Sequence, residues 1–180
     1  MNNLVGYPPQ QVLLHGPSKL LVDRYHWHAP ETGIVGSYTP KARDVEGHFG
    51  VFRGVDQIES FGQATVGSCA PFLESLKQNC SMEDLRGKYI PTFIGVGQVS
   101  FHSYLQEGET FVSIGRIKFY KFRQMVVDGR IYKAPKELDL DLYFRDFTAD
   151  QVKNYELDNG FTLVAEFYDI AGRAIKASKI

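Results

Sequence analysis

The chain has 180 residues, 43% of them hydrophobic and 23% charged, enough for one domain with a real core. A formal charge of -1 excludes the strongly basic footprint of a nucleic-acid binder, and no apolar run is long enough to span a bilayer. Two cysteines, Cys69 and Cys80, cannot build a disulfide framework, and residues 1–10 show no basic-then-apolar leader, so the expected setting is the reducing cytoplasm.

Residues 20–27, with Leu, Val and Tyr among charged neighbours, predict a first strand. Residues 32–43 predict a second, reached by a turn near Pro30 and Gly33. Residues 47–54 hold three glycines and read as a loop. Residues 55–70 read as the main helix, because Ile58, Phe61, Thr65 and Cys69 recur at helical spacing. Gly62 and Gly67 weaken it, and Pro71 is expected to kink it or to start a second helix capped by Ser68. So small and apolar a helix is expected to be wrapped by a sheet. Residues 89–104 and 110–122 are long strand candidates joined by a turn at 106–109, and Asp128-Gly129 within 126–132 is a hairpin signal. The acidic stretch 135–158 reads as part of a surface insertion spanning about 124–160, with a short helix at 149–155. Residues 161–168 and 173–179 read as a last hairpin turning at 169–172. Two strands, one buried helix and then several antiparallel strands imply an α+β fold, an antiparallel sheet curled around one helix. A parallel α/β sheet is excluded, because helices and strands do not alternate.

The candidate chemistry begins at His48, in the glycine-flanked loop Glu46-Gly47-His48-Phe49-Gly50. Glu59 follows eleven residues later, near the start of the helix, with Gln63 one turn beyond on the same face. Imidazole titrates near neutrality and burial raises a carboxyl pKa, so the two suit proton transfer. Arg53-Gly54-Val55 open the helix, where free amides stabilise a developing negative charge. Read from spacing alone, the commoner outcome is a loop histidine and a glutamate complementing the helix dipole. His26 and His28 alternate on one strand and lack a third metal ligand, so an exposed strand face is expected. Lys118, Lys121 and Arg123 likewise read as a solvated strand face rather than a basic edge for a carrier protein or CoA phosphates.

Four stretches resemble the bacterial 3-hydroxyacyl-acyl-carrier-protein dehydratases. His15-Gly16-Pro17-Ser18-Lys19-Leu20-Leu21-Val22-Asp23-Arg24 is similar to that family's H-x-P-x-x-L-L-V-D-R. Gly47-His48-Phe49, Gly54-Val55, Glu59 and Gln63 are similar to its G-H-F … P-G-V-x-x-x-E-x-x-x-Q. Residues 93–122 and 161–179 resemble its later strands in pattern. The resemblance covers well over half the chain and implies a hot-dog fold and a homodimer whose sites lie between subunits. It implies that His48 takes the C2 proton while Glu59 of the other subunit protonates the leaving 3-hydroxyl. The Gly54 amide, at the helix opening with Val55, would hold the thioester oxygen, and Gln63 would orient Glu59 or a water. Phe49, Phe52, Arg53 and His102 become candidate channel residues. The substrate would arrive on the phosphopantetheine of acyl carrier protein or CoA, without metal or dissociable cofactor, in fatty-acid-like or specialised lipid or polyketide biosynthesis.

One departure matters. The loop reads G-H-F-G-V-F-R-G. It lacks the family's prolines and is about three residues shorter, a reach of roughly 3.3–3.6 Å for each extended residue. In this it is similar to hot-dog acyl-CoA thioesterases, while Glu59 favours the dehydratases. The altered loop also leaves open a non-catalytic acyl-thioester-binding module.

Overall fold

The computed structural model describes residues 3–179. A one-turn helix α1 (Pro9–Val12) precedes strands β1 (Arg24–Ala29) and β2 (Gly33–Tyr38). Helix α2 (Ala42–Val45) and the short strand β3 (Val51–Phe52) lead into α3 (Gly54–Ala64) and α4 (Val66–Gln78). Then come α5 (Met82–Leu85), β4 (Tyr89–Phe101), β5 (Leu105–Gln106), β6 (Phe111–Lys121) and β7 (Gln124–Lys133). Two short helices, α6 (Leu140–Tyr143) and α7 (Ala149–Asn154), precede the last strand, β8 (Thr162–Lys176).

Six strands make one antiparallel sheet in the order β1-β2-β6-β7-β8-β4, and β3 pairs separately with β5. The sheet curls around α3 and α4. Phe61 of α3 stacks on Phe167 of β8 with ring centroids 4.2 Å apart. The same ring presses on Gly129 of β7, where an added Cβ would lie 2.4 Å from it. This is the hot-dog arrangement, α+β, with the helix as its filling.

The helix breaks at Thr65 (φ −103°, ψ −87°), not at Pro71, which lies inside α4. Side chains add hydrogen bonds to the carbonyls at the break, where Phe61 O also keeps the Thr65 amide at 3.0 Å. Thr65 Oγ1 donates to Phe61 O and Ser68 Oγ to Gln63 O, each at 2.7 Å, so Ser68 is not a cap.

Asp128-Gly129 makes no hairpin. It lies within β7, where glycine is needed because Phe61 comes so close. The turn between β6 and β7 is made by Phe122 and Arg123, both in the left-handed region (φ 53° and 59°). Residues 169–172 form no hairpin either, since β8 runs straight through. Asp169 (φ 54°) sits where the pairing with β7 slips, its N–H held by Asp128 Oδ1 at 2.9 Å.

The segment that leaves the sheet spans 134–161, because Gln124–Lys133 is a sheet strand. It packs down through Phe144, Phe147 and Val152 onto Val35, Val112 and Ile114. Alternation along β6 explains why both faces of the sheet are apolar there: Phe111 joins the helix-side core and Val112 the core under 134–161.

His26 and His28 share no face and neither is exposed, at 7% and 6%. The pairing of β1 with β2 slips between Tyr25 and Trp27, which inserts His26 as an extra residue and inverts the alternation. His28 therefore meets Phe72 of α4, and His26 meets Phe144 beyond the sheet.

Candidate active site

Helix α3 presents Glu59 and Gln63 one turn apart. Gln63 is buried and fully engaged. Its Oε1 accepts from the Leu21 amide at 2.8 Å, and its Nε2 donates to Lys19 O at 2.7 Å and to Glu59 Oε1 at 2.8 Å. Ser60 Oγ adds a bond to Leu21 O at 2.7 Å. These bonds strap residues 19–21 onto α3 and bring His15 to the carboxylate, with Nε2 3.3 Å from Glu59 Oε1. The His15 contact first, and the Gln63 hydrogen bond with it, hold Glu59 below the ordinary carboxylate range, against burial, which pushes it up. His15 Nδ1 is buried without a partner among the described residues.

His15, Glu59 and Gln63 open onto a cleft of about 250 Å³ bounded by Val66, Gly67, Pro91, Phe93 and Gly172. Four of those walls, Val66, Gly67, Pro91 and Gly172, also bound a narrower, mainly apolar pocket of about 60 Å³ between α4 and the sheet. The two recesses adjoin along that shared wall. Glycine makes the packing possible: an added Cβ at Gly62 would lie 2.2 Å from the Phe93 ring.

His48 stands elsewhere. It is exposed on its turn, Nδ1 3.2 Å from Val51 O, and neither bonds Glu59 of its own chain nor lines the cleft. Phe49 is fully exposed. Gly54 begins α3 under the Phe101 ring, 2.8 Å from where a Cβ would be, and Val55 beside it is exposed. Arg53 grips Asp56 at 2.6 and 2.9 Å, which already matches its charge. Phe52 is buried in the core, packed against Tyr38 and Phe111. His102, also exposed, pairs with Glu166 at 2.9 Å. The residue that sequence reasoning missed is His15. Its signal was there, at the head of the motif that ends at Arg24, but nothing local in the chain pairs it with Glu59.

A second network joins Ser37 Oγ, His26 and Asp141 at 2.8 and 2.7 Å. Ser37 is buried, and the network ties α6 to the sheet. Among the described residues, no group of three or more His, Cys, Asp or Glu is placed to hold a metal, and no helix is long and apolar enough to cross a membrane.

No family model matches the chain, and no curated protein matches it in sequence. Solved structures do match. The dehydratase heterocomplex ApeI:P from Xenorhabdus doucetiae superposes with a TM-score of 0.62 at 10% identity, over 95% of this chain and 93% of that one. The protein SAV2348 from Staphylococcus aureus, solved in complex with CoA, gives 0.50 at 10% identity, over 85% and 76%. Slr0204, a 1,4-dihydroxy-2-naphthoyl-CoA thioesterase from Synechocystis, gives 0.48 at 11%, over 80% and 82%. At such identities the first of these establishes the shared hot-dog fold.

Proposed function

We propose that this hot-dog protein interconverts 3-hydroxyacyl and enoyl thioesters carried on CoA or on the phosphopantetheine of an acyl carrier protein. The observation that carries the reading is Glu59, a carboxylate fixed by Gln63 and His15 in a cleft that adjoins a mainly apolar pocket. In hydration, ionised Glu59 takes a proton from water as the water oxygen bonds to C3, and an imidazolium protonates C2. In dehydration, the imidazole removes the C2 proton, and protonated Glu59 gives its proton to the departing hydroxyl. His15 returns a proton to Glu59 between dehydration turnovers and takes one from it between hydration turnovers. The amides of Gly54 and Val55 receive the thioester oxygen. These proton transfers need no metal or dissociable cofactor.

The imidazole is assigned to His48 of a second copy of the chain. Support comes from the sheet edge. Strand β4 is thirteen residues long, ends the sheet, and exposes Phe93, Ile94, Val96 and Phe101. A long apolar edge is a pairing surface. Pro91, Thr92 and Phe93 of β4 also line the Glu59 cleft, so a copy docked on β4 abuts that cleft.

One observation favours a second reading. A glutamate held ionised suits a base that drives water onto a thioester carbonyl and releases free thiol. Incubation with 3-hydroxyacyl-CoAs of increasing length separates the two. Enoyl formation that vanishes in His48→Ala and Glu59→Gln supports the first reading. Thiol release that survives His48→Ala supports the second. Neither product at any length, on either carrier, overturns both.

A further inference from the structure

We infer that the recess is built for an acyl chain that ends in a carboxylate, received by Arg123. This rests on the acyl-thioester reading above and adds the class of acyl group. Beyond the wall it shares with the Glu59 cleft, the apolar pocket reaches the β6–β7 turn, where Arg123 lines it. The Nε of Arg123 is buried and has no hydrogen-bond partner among the described residues, and the guanidinium lies 5.0 Å from the Tyr89 ring centroid. Arginine nitrogens are donors only, and a buried donor without an acceptor is unfavourable. A ligand carboxylate entering through the pocket meets the guanidinium that lines it.

Arg123 is held at φ 59°, in a turn where asparagine or glycine fits with less strain. The local charges select the terminus. Glu74 lines the pocket, but its two oxygens accept from Tyr120 at 2.7 Å and Gln78 at 2.6 Å, and it forms no ion pair with Arg123. Arg86 has Glu83 at 3.7 Å, while Arg173 is exposed beside Arg123 without an ion pair among the described residues. The pocket end therefore keeps an excess of positive charge. A carboxylate satisfies it, and a plain alkyl end does not.

Non-hydrolysable CoA thioethers test this, since they are neither dehydrated nor hydrolysed. S-hexyl- and S-octyl-CoA are compared by calorimetry with S-(5-carboxypentyl)- and S-(7-carboxyheptyl)-CoA. The wild-type protein is expected to bind at least one carboxylated probe about tenfold more tightly than its alkyl counterpart. Arg123→Asn, which suits the left-handed turn and so folds, is expected to abolish that preference while keeping alkyl binding; Arg123→Lys is expected to keep part of it. Alkyl probes binding as tightly as carboxylated ones at both lengths, or a preference that survives Arg123→Asn, overturns the inference and leaves the thioester reading standing. No binding of any probe overturns both.

Discussion

Glu59 is held below the ordinary carboxylate range because two neighbours reach it, and only one of them, Gln63, is its helical neighbour. His15 comes from 44 residues away in sequence, counted from 15 to 59, carried by the strap that Gln63 and Ser60 hold at residues 19–21. Because His15 is the foremost cause of the lowered pKa, removing it lets the carboxyl rise. His15→Ala is therefore expected to move the acidic limb of the pH–kcat/KM profile to higher pH, and Glu59→Gln to reduce kcat by about a hundredfold or more. An unmoved limb in His15→Ala would show that the contact does not set the ionisation. His28 gives a second test at this scale, of stability. Burial against Phe72 pushes it down to about 4 from 6.5. The unfolded chain takes up that proton near pH 6.5 and the folded chain only near pH 4, so the stabilisation is complete above pH 6.5 and drains away between 6.5 and 4. The loss is on the order of 3 kcal/mol. Urea midpoints measured across that interval are expected to fall in the wild type and to fall less in His28→Leu.

At the scale of elements, the sheet-around-helix order was legible because amphipathic alternation and helical spacing are local signals. The errors share a cause: packing used a residue for something other than its local habit. Gly129 reads as a turn residue beside Asp128, yet it is glycine because the Phe61 ring and Ile114 O leave a Cβ no room, at 2.4 and 2.3 Å. Gly129→Ala is accordingly expected to destabilise the protein by about 1–3 kcal/mol, the usual range for overpacking, as read from the urea midpoint. An unchanged midpoint would mean that the helix and sheet adjust freely. The extra residue His26 in β1 is another such case, since an inverted alternation cannot be told from an ordinary one without knowing the partner strand. His48, Glu59 and Gln63 were visible as a motif, but the His15 contact depends on how the 19–21 strap lies across α3, which no local pattern encodes.

At the scale of the whole molecule, two surfaces of the sheet are treated differently. Its outer face over β2 and β6 is covered by residues 134–161 through Phe144, Phe147 and Val152, whereas its β4 edge is left open and apolar. Charge placed on that edge opposes pairing. Ile94→Lys combined with Val96→Lys is expected to elute as a monomer in size-exclusion chromatography and to lose turnover with dimerisation. A monomeric wild type, or a monomeric variant that stays fully active, would contradict a site shared between copies. The most direct measurement is complementation. His48→Ala and Glu59→Gln, each inactive alone, are unfolded together and refolded as a mixture. If His48 of one copy serves Glu59 of the other, mixed dimers carry one intact site, and activity on a 3-hydroxyacyl thioester is expected to return to about a quarter of wild type. A mixture as inactive as its components would contradict the shared site.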